Sequence, residues 1–158
     1  MSSSNFWPPF WPAAFCAGAP FCAGANFCGA DCWLVAGCVP FISIDFETYY
    51  DQDYTLSKLS TSEYVRDSRF KAQMMYLKVG NKPARVIPPA KIKAELAKIN
   101  WSTHALLCHH TQFDGLILSH RYGVVPSFYY DTLSMARGLH SNEIGAGLEE
   151  VSRYYGGG

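Results

Sequence analysis

Apolar and polar side chains alternate strictly over residues 41–48, which read F-I-S-I-D-F-E-T. Ile42, Ile44 and Phe46 fall to one side, and Ser43, Asp45 and Glu47 to the other. A two-residue period predicts an extended strand. Beyond it, residues 49–54 read as a polar and aromatic loop. Thr61 or Ser62 can cap a short helix through Glu63, Tyr64 and Val65 that Asp67 and Ser68 end. Weak alternation predicts a second strand over 71–79. A turn at Asn81, Lys82 and Pro83 leads to a third over 84–87. Pro88 and Pro89 open a helix to about Ile99, with Ile92, Leu96 and Ile99 at helical spacing. The apolar run 103–108 predicts a fourth strand. A helix over 112–122 aligns Phe113, Leu116, Ile117 and His120 and stops at Gly123. A fifth strand over 128–131, a helix over 132–140 capped by Asp131, and a helix over 148–155 complete the pattern. Strands and helices in this order predict an α/β layered domain built on a mixed sheet.

The first forty residues break that pattern. The chain has 158 residues, enough for one domain with a proper core, and its 13 basic and 13 acidic side chains cancel. Asp31 is nevertheless the only charge before residue 41, where three of four tryptophans and five of six cysteines also lie. Residues 15–31 read FCAGAP, FCAGAN, FCGAD, so the spacing of Cys16, Cys22, Cys28, Cys32 and Cys38 follows from duplication and matches no zinc pattern. Residues 13–30 are uncharged, the length of a membrane segment. Pro20, Asn26, the repeated glycines and the lack of a preceding Lys or Arg argue against a span or signal peptide. Residues 1–40 therefore read as an irregular, low-complexity extension, and residues 41–158 as the folded domain. Cys108 falls in a buried strand, where inert packing is expected.

Two places carry candidate chemistry. Asp45 and Glu47 leave one strand end on the same face, and like charges that close call for a cation between them or a pKa raised by burial. The alternative is a strand simply running out into water. Asp114, in L-C-H-H-T-Q-F-D-G, falls in the first turn of a helix whose N-terminus favours a charged carboxylate by about 0.3–1 kcal/mol. That predicts an ionised Asp114 even near the acidic pair. An ordinary acidic residue of a first helical turn is the plainer reading.

Together, F-I-S-I-D-F-E-T, H-H-T-Q-F-D-G and F-Y-Y-D-T-L-S-M-A-R resemble the DEDD family of 3′-5′ exonucleases, in particular the proofreading domain of bacteriophage family A DNA polymerases. The resemblance covers about residues 41–156 and implies a ribonuclease H-like fold. It also implies two Mg²⁺ or Mn²⁺ ions and removal of nucleotides from a single-stranded DNA 3′ end. The setting it implies is the cytoplasm of a phage-infected bacterial cell, with a polymerase domain normally in the same polypeptide. Asp45 and Glu47 match the first motif and Asp114 the second, making these three the implied catalytic and metal-binding residues. His110 stands where the family usually has Asn. The third motif, an Asp four residues after a Tyr or five after a His, is absent: no Asp follows Asp131, and Gly158 stands four beyond Tyr154. Asp131 itself resembles the family's non-catalytic strand-end Asp. The resemblance therefore implies a domain truncated before its fourth carboxylate, and a poor nuclease or none.

Contacts to nucleic acid would come from Phe46, Thr48, Tyr49, His110 and Phe113. Tyr49, Tyr50 and Tyr54 either stack on unpaired bases or pack on the surface. Lys91, Lys93 and Lys98 read as a solvated helix face before they read as phosphate contacts. His109 and His110, adjacent on a strand, point opposite ways and make a poor zinc pair. Arg137 and His140 receive no task. Two function classes stay open: a metal-dependent exonuclease, and a module of the same fold that holds single-stranded nucleic acid without cutting it.

Overall fold

The computed structural model describes residues 40–140 and 143–156. Its elements are β1 (Phe41–Thr48), α1 (Thr61–Arg66), β2 (Ala72–Val79), β3 (Arg85–Ile87), α2 (Pro89–Leu96), β4 (Ala105–Cys108), α3 (Thr111–Tyr122), β5 (Phe128–Asp131), α4 (Thr132–His140) and α5 (Leu148–Tyr154). The strands form one sheet in the order β3-β2-β1-β4-β5. β1 and β2, like β2 and β3, pair antiparallel, while β1 with β4 and β4 with β5 pair parallel. The sheet is therefore mixed, with β1 at its centre. The expected extension and its candidate membrane segment, residues 13–30, lie outside the described residues. Among the described residues no helix is long and apolar enough to cross a membrane.

Residues Val39–Thr132 make one compact unit, and Leu133 onward belongs to a second. In the first, the alternation of β1 buries Ile42, Ile44 and Phe46 in a core shared with Met75, Leu77, Leu106, Ile92, Leu96, Ile117 and Leu118. Gly115 lets α3 lie close to β5, since a Cβ there would meet the Tyr129 ring at 3.3 Å. Gly123, at φ +67°, ends α3 as its place in the sequence predicts. In the second unit His140 Nε2 lies 2.7 Å from the Tyr155 hydroxyl.

Several boundaries differ from the sequence reading for physical reasons. The cap of α1 is Ser60, not Thr61 or Ser62. Its amide donates to Glu63 Oε2 at 2.9 Å, and its hydroxyl accepts from the Glu63 amide at 3.3 Å, a reciprocal capping box. α2 stops at Leu96 rather than Ile99, because the Leu96 carbonyl accepts the Trp101 indole N–H at 3.0 Å and the Ile99 amide at 3.3 Å. β4 starts at Ala105 because Thr103 and His104 fold back onto the Asn100 carbonyl, at 3.1 and 2.8 Å. Lys91, Lys93 and Lys98 are exposed, and Lys98 pairs with Glu95, as expected of a solvated face.

The loop after β1 is not a free aromatic arm. Tyr54 is fully buried, its ring stacked on Tyr64 at 4.2 Å and its hydroxyl donating to the Tyr64 carbonyl at 2.7 Å. It therefore presents no face to a base, which corrects its reading as a stacking platform. Only Tyr50 of the three tyrosines is widely exposed, at 73%. Tyr54→Ala should destabilise the protein by about 3–5 kcal/mol in urea denaturation and Tyr54→Phe by about 1 kcal/mol. Equal losses would contradict the ring stack as the main term.

Candidate active site

β1 outlasts its parallel partner. β4 pairs with β1 only through Ser43, opposite Leu107, and ends at Cys108. In antiparallel pairing, alternate residues turn their amides to opposite edges. Gly80 N–H bonds to the Phe41 carbonyl at 3.1 Å, so the amides of Ile42, Ile44 and Phe46 face β4. Past Ser43 those groups need other partners. Cys108 Sγ donates to the Ile44 carbonyl at 3.1 Å, and the Phe46 amide donates to Asp114 Oδ1 at 3.1 Å. A side chain in the first turn of α3 thus replaces a missing strand, and this bond spans 68 residues of sequence.

The result is a carboxylate pair. Asp114 is 3% exposed and its pKa is pushed up to about 8, first by burial and then by the charge of Asp45. This corrects the expectation that a helix N-terminus keeps it ionised: a dipole effect near 1 kcal/mol is outweighed by desolvation. Asp45 is half-buried, and its pKa is also raised, by burial first and Glu47 second. Glu47 is exposed. Asp45 therefore bears on Asp114, and Glu47 on Asp45. Among the described residues no three His, Cys, Asp or Glu side chains already stand together as an ion's ligands. The chemistry of the donors fits a hard divalent ion at the Asp45–Asp114 pair, where positive charge would relieve the repulsion that burial sharpens. Glu47 could join it only from the rim.

Other sequence candidates fall as follows. The Phe46 side chain is buried and stacked on Tyr122 at 5.8 Å, and its amide holds Asp114. Phe113 packs against the core and lies 6.0 Å from the Tyr64 ring. Thr48 Oγ1 lies 2.9 Å from the Tyr64 hydroxyl, which also donates to the Tyr49 carbonyl at 2.6 Å. The Tyr49 hydroxyl donates to Asp51 Oδ2 at 2.9 Å. Tyr64 went unnoticed in the sequence, where it reads as an ordinary helical aromatic. Its hydroxyl holds the chain directly after Glu47, where the β1–β2 register shifts between Glu47 and Thr48. His110 is exposed and left-handed, at φ 71°. His109 Nδ1 lies 3.0 Å from Thr132 Oγ1. Burial pushes the Cys108 thiol well up, in line with inert packing.

No family model matches the chain, and no curated protein matches it. Solved structures do. It is similar to Brucella melitensis NrnC with bound Mg²⁺, at 20% identity and a TM-score of 0.53 over 73% of this chain and 53% of that one. Another structure of Brucella melitensis NrnC matches at 20% identity and a TM-score of 0.53, over 73% and 52% of the two chains. A structure described as the apo form of a nuclease matches at 20% identity and a TM-score of 0.54, over 72% and 50%. The chain thus spans about half the length of the solved chains it matches. At this identity the likeness is one of fold, and the fold is ribonuclease H-like, a mixed five-stranded sheet flanked by helices.

Because the Asp114 carboxyl is raised on folding, its protonated form favours the fold. That stabilisation is full below about pH 4 and is lost as pH rises through about 8. Asp114→Asn keeps an acceptor for the Phe46 amide and removes the titration. Without metal, the variant should exceed the parent by more than about 1 kcal/mol at pH 8 and match it near pH 4 in urea denaturation. A difference independent of pH would contradict the assigned cause.

Proposed function

We propose that this chain is a divalent-metal-dependent 3′-5′ exonuclease module that trims single-stranded DNA, a proofreading partner to a polymerase. The observation that carries the reading is the buried Asp114 carboxylate, held by the Phe46 amide and within reach of the charge of Asp45, on a ribonuclease H-like sheet. The similarity in fold to a protein solved with Mg²⁺ and to a structure described as a nuclease supports it.

A phosphodiester resists hydrolysis because its own charge repels hydroxide. Mg²⁺ or Mn²⁺ ions, when bound, would activate water and neutralise the leaving oxygen. Asp45 and Asp114 would hold that charge, with Glu47 reaching in from the exposed end of β1. The Phe46 amide fixes one oxygen of Asp114, so this carboxylate does not have to be ordered at the moment of reaction. Tyr50, exposed beside the strand end, offers a face on which a terminal base can stack, an interaction of about 1–3 kcal/mol.

A second reading, a binder of single-stranded nucleic acid that does not cut, is favoured because no three acidic, His or Cys side chains among the described residues stand together as an ion's ligands. Incubation of 5′-labelled single-stranded DNA with Mn²⁺ separates the two. The nuclease reading expects shortening from the 3′ end that chelator stops and Asp45→Ala reduces by at least about 100-fold. DNA retained equally in chelator and left uncut, with Asp45→Ala indistinguishable from the parent, would establish the binder instead.

A further inference from the structure

Asp131 lies at the end of β5 and is left without a role by the reading above. Its Oδ1 accepts the His110 amide at 2.8 Å and the Thr111 amide at 3.2 Å. These are donors at the N-terminus of α3, for which the His110 side chain forms no capping hydrogen bond. The carboxylate of a neighbouring strand thus does the work that a cap residue usually does within its own helix. His110 is the one residue other than glycine with positive φ among the described residues. That conformation turns its amide and the next toward the same acceptor. Asn, Asp and His tolerate it better than most residues, which accounts physically for a His where the resembled family has Asn. Thr111 adds a second tie, its hydroxyl donating to the Tyr130 carbonyl at 2.8 Å. Three residues further along α3, Asp114 reaches the Phe46 amide.

We propose that Asp131 is a positioning residue for the carboxylate site. By clamping the start of α3 to the end of β5, it sets where Asp114 meets β1, without itself binding a metal ion. The proposal rests on the nuclease reading for its consequence, and on hydrogen bonds alone for its mechanism, so the two can fail separately. The consequence is that loss of the clamp weakens divalent-ion binding by about 10- to 100-fold, as losses of outer-shell partners do. A neutral side chain with the same acceptor should preserve it.

The experiment compares D131A and D131N in the full chain by two readouts. In metal-free protein, hydrogen exchange at the Phe46 amide should quicken at least about tenfold in D131A, while the amides of β2 stay protected and D131N follows the parent. In calorimetric titration with Mn²⁺, D131A should bind about 10-fold or more weakly and D131N within about threefold of the parent. Should D131A fail to fold, H110V tests the same link, since a β-branched residue resists positive φ. It too should expose the Phe46 amide. Equal damage from D131N and D131A would show that Asp131 acts through its charge, and unchanged Phe46 exchange in D131A or H110V would show that no clamp exists. Either overturns the proposal. If the parent binds no Mn²⁺, the nuclease reading fails, and the exchange comparison still decides the role of Asp131.

Discussion

One hydrogen bond, from the Phe46 amide to Asp114, holds the candidate site together. It exists because β1 is longer than β4. A central strand that runs past its neighbour bares backbone groups to the interior, and a buried amide without a partner costs about 1–3 kcal/mol. Only two residues separate the start of α3 from the Cys108 that ends β4, so its first turn lies beside the bared edge. A carboxylate there satisfies the amide and is buried by doing so, next to the acid that β1 itself carries. The structural need of the sheet and the chemical content of the site are met by the same side chain.

The surroundings keep β1 and α3 in place from opposite sides. On one side Tyr64 links α1 to the chain just after Glu47, and its ring lies between Tyr54 and Phe113. On the other, Asp131 and Thr111 fasten the start of α3 to β5. Glu47 stands between these anchored regions at the register shift of β1, exposed and adaptable. The three acids thus grade from buried Asp114 through half-buried Asp45 to exposed Glu47.

Much of the fold was legible in the sequence because it follows from period. The alternation of β1, the helical spacing of Ile92 and Leu96, and the stop at Gly123 are local signals that burial then obeys. The boundaries that moved did so through contacts to residues outside the periodic run, such as the Trp101 indole on the Leu96 carbonyl. A relation between Asp45 and Asp114 was suggested only by the resemblance, since no property of either stretch points to the other. The ionisation of Asp114 was misjudged because a helix start is visible in sequence and the depth of its burial is not. The part of Phe46 was hidden for a related reason: sequence displays side chains, and the bond to Asp114 comes from its amide. The hydrogen bonds of Tyr64 and Asp131 join partners 15 and 21 residues away, which no local period displays.

The account stands on a cation shared by Asp45 and Asp114, and anomalous diffraction from Mn²⁺-soaked crystals of the chain tests it most directly. The expected map has a manganese peak within coordination distance of both carboxylates, with Glu47 drawn toward it. A map in which manganese is absent from this pair, or binds only elsewhere on the surface, would contradict it.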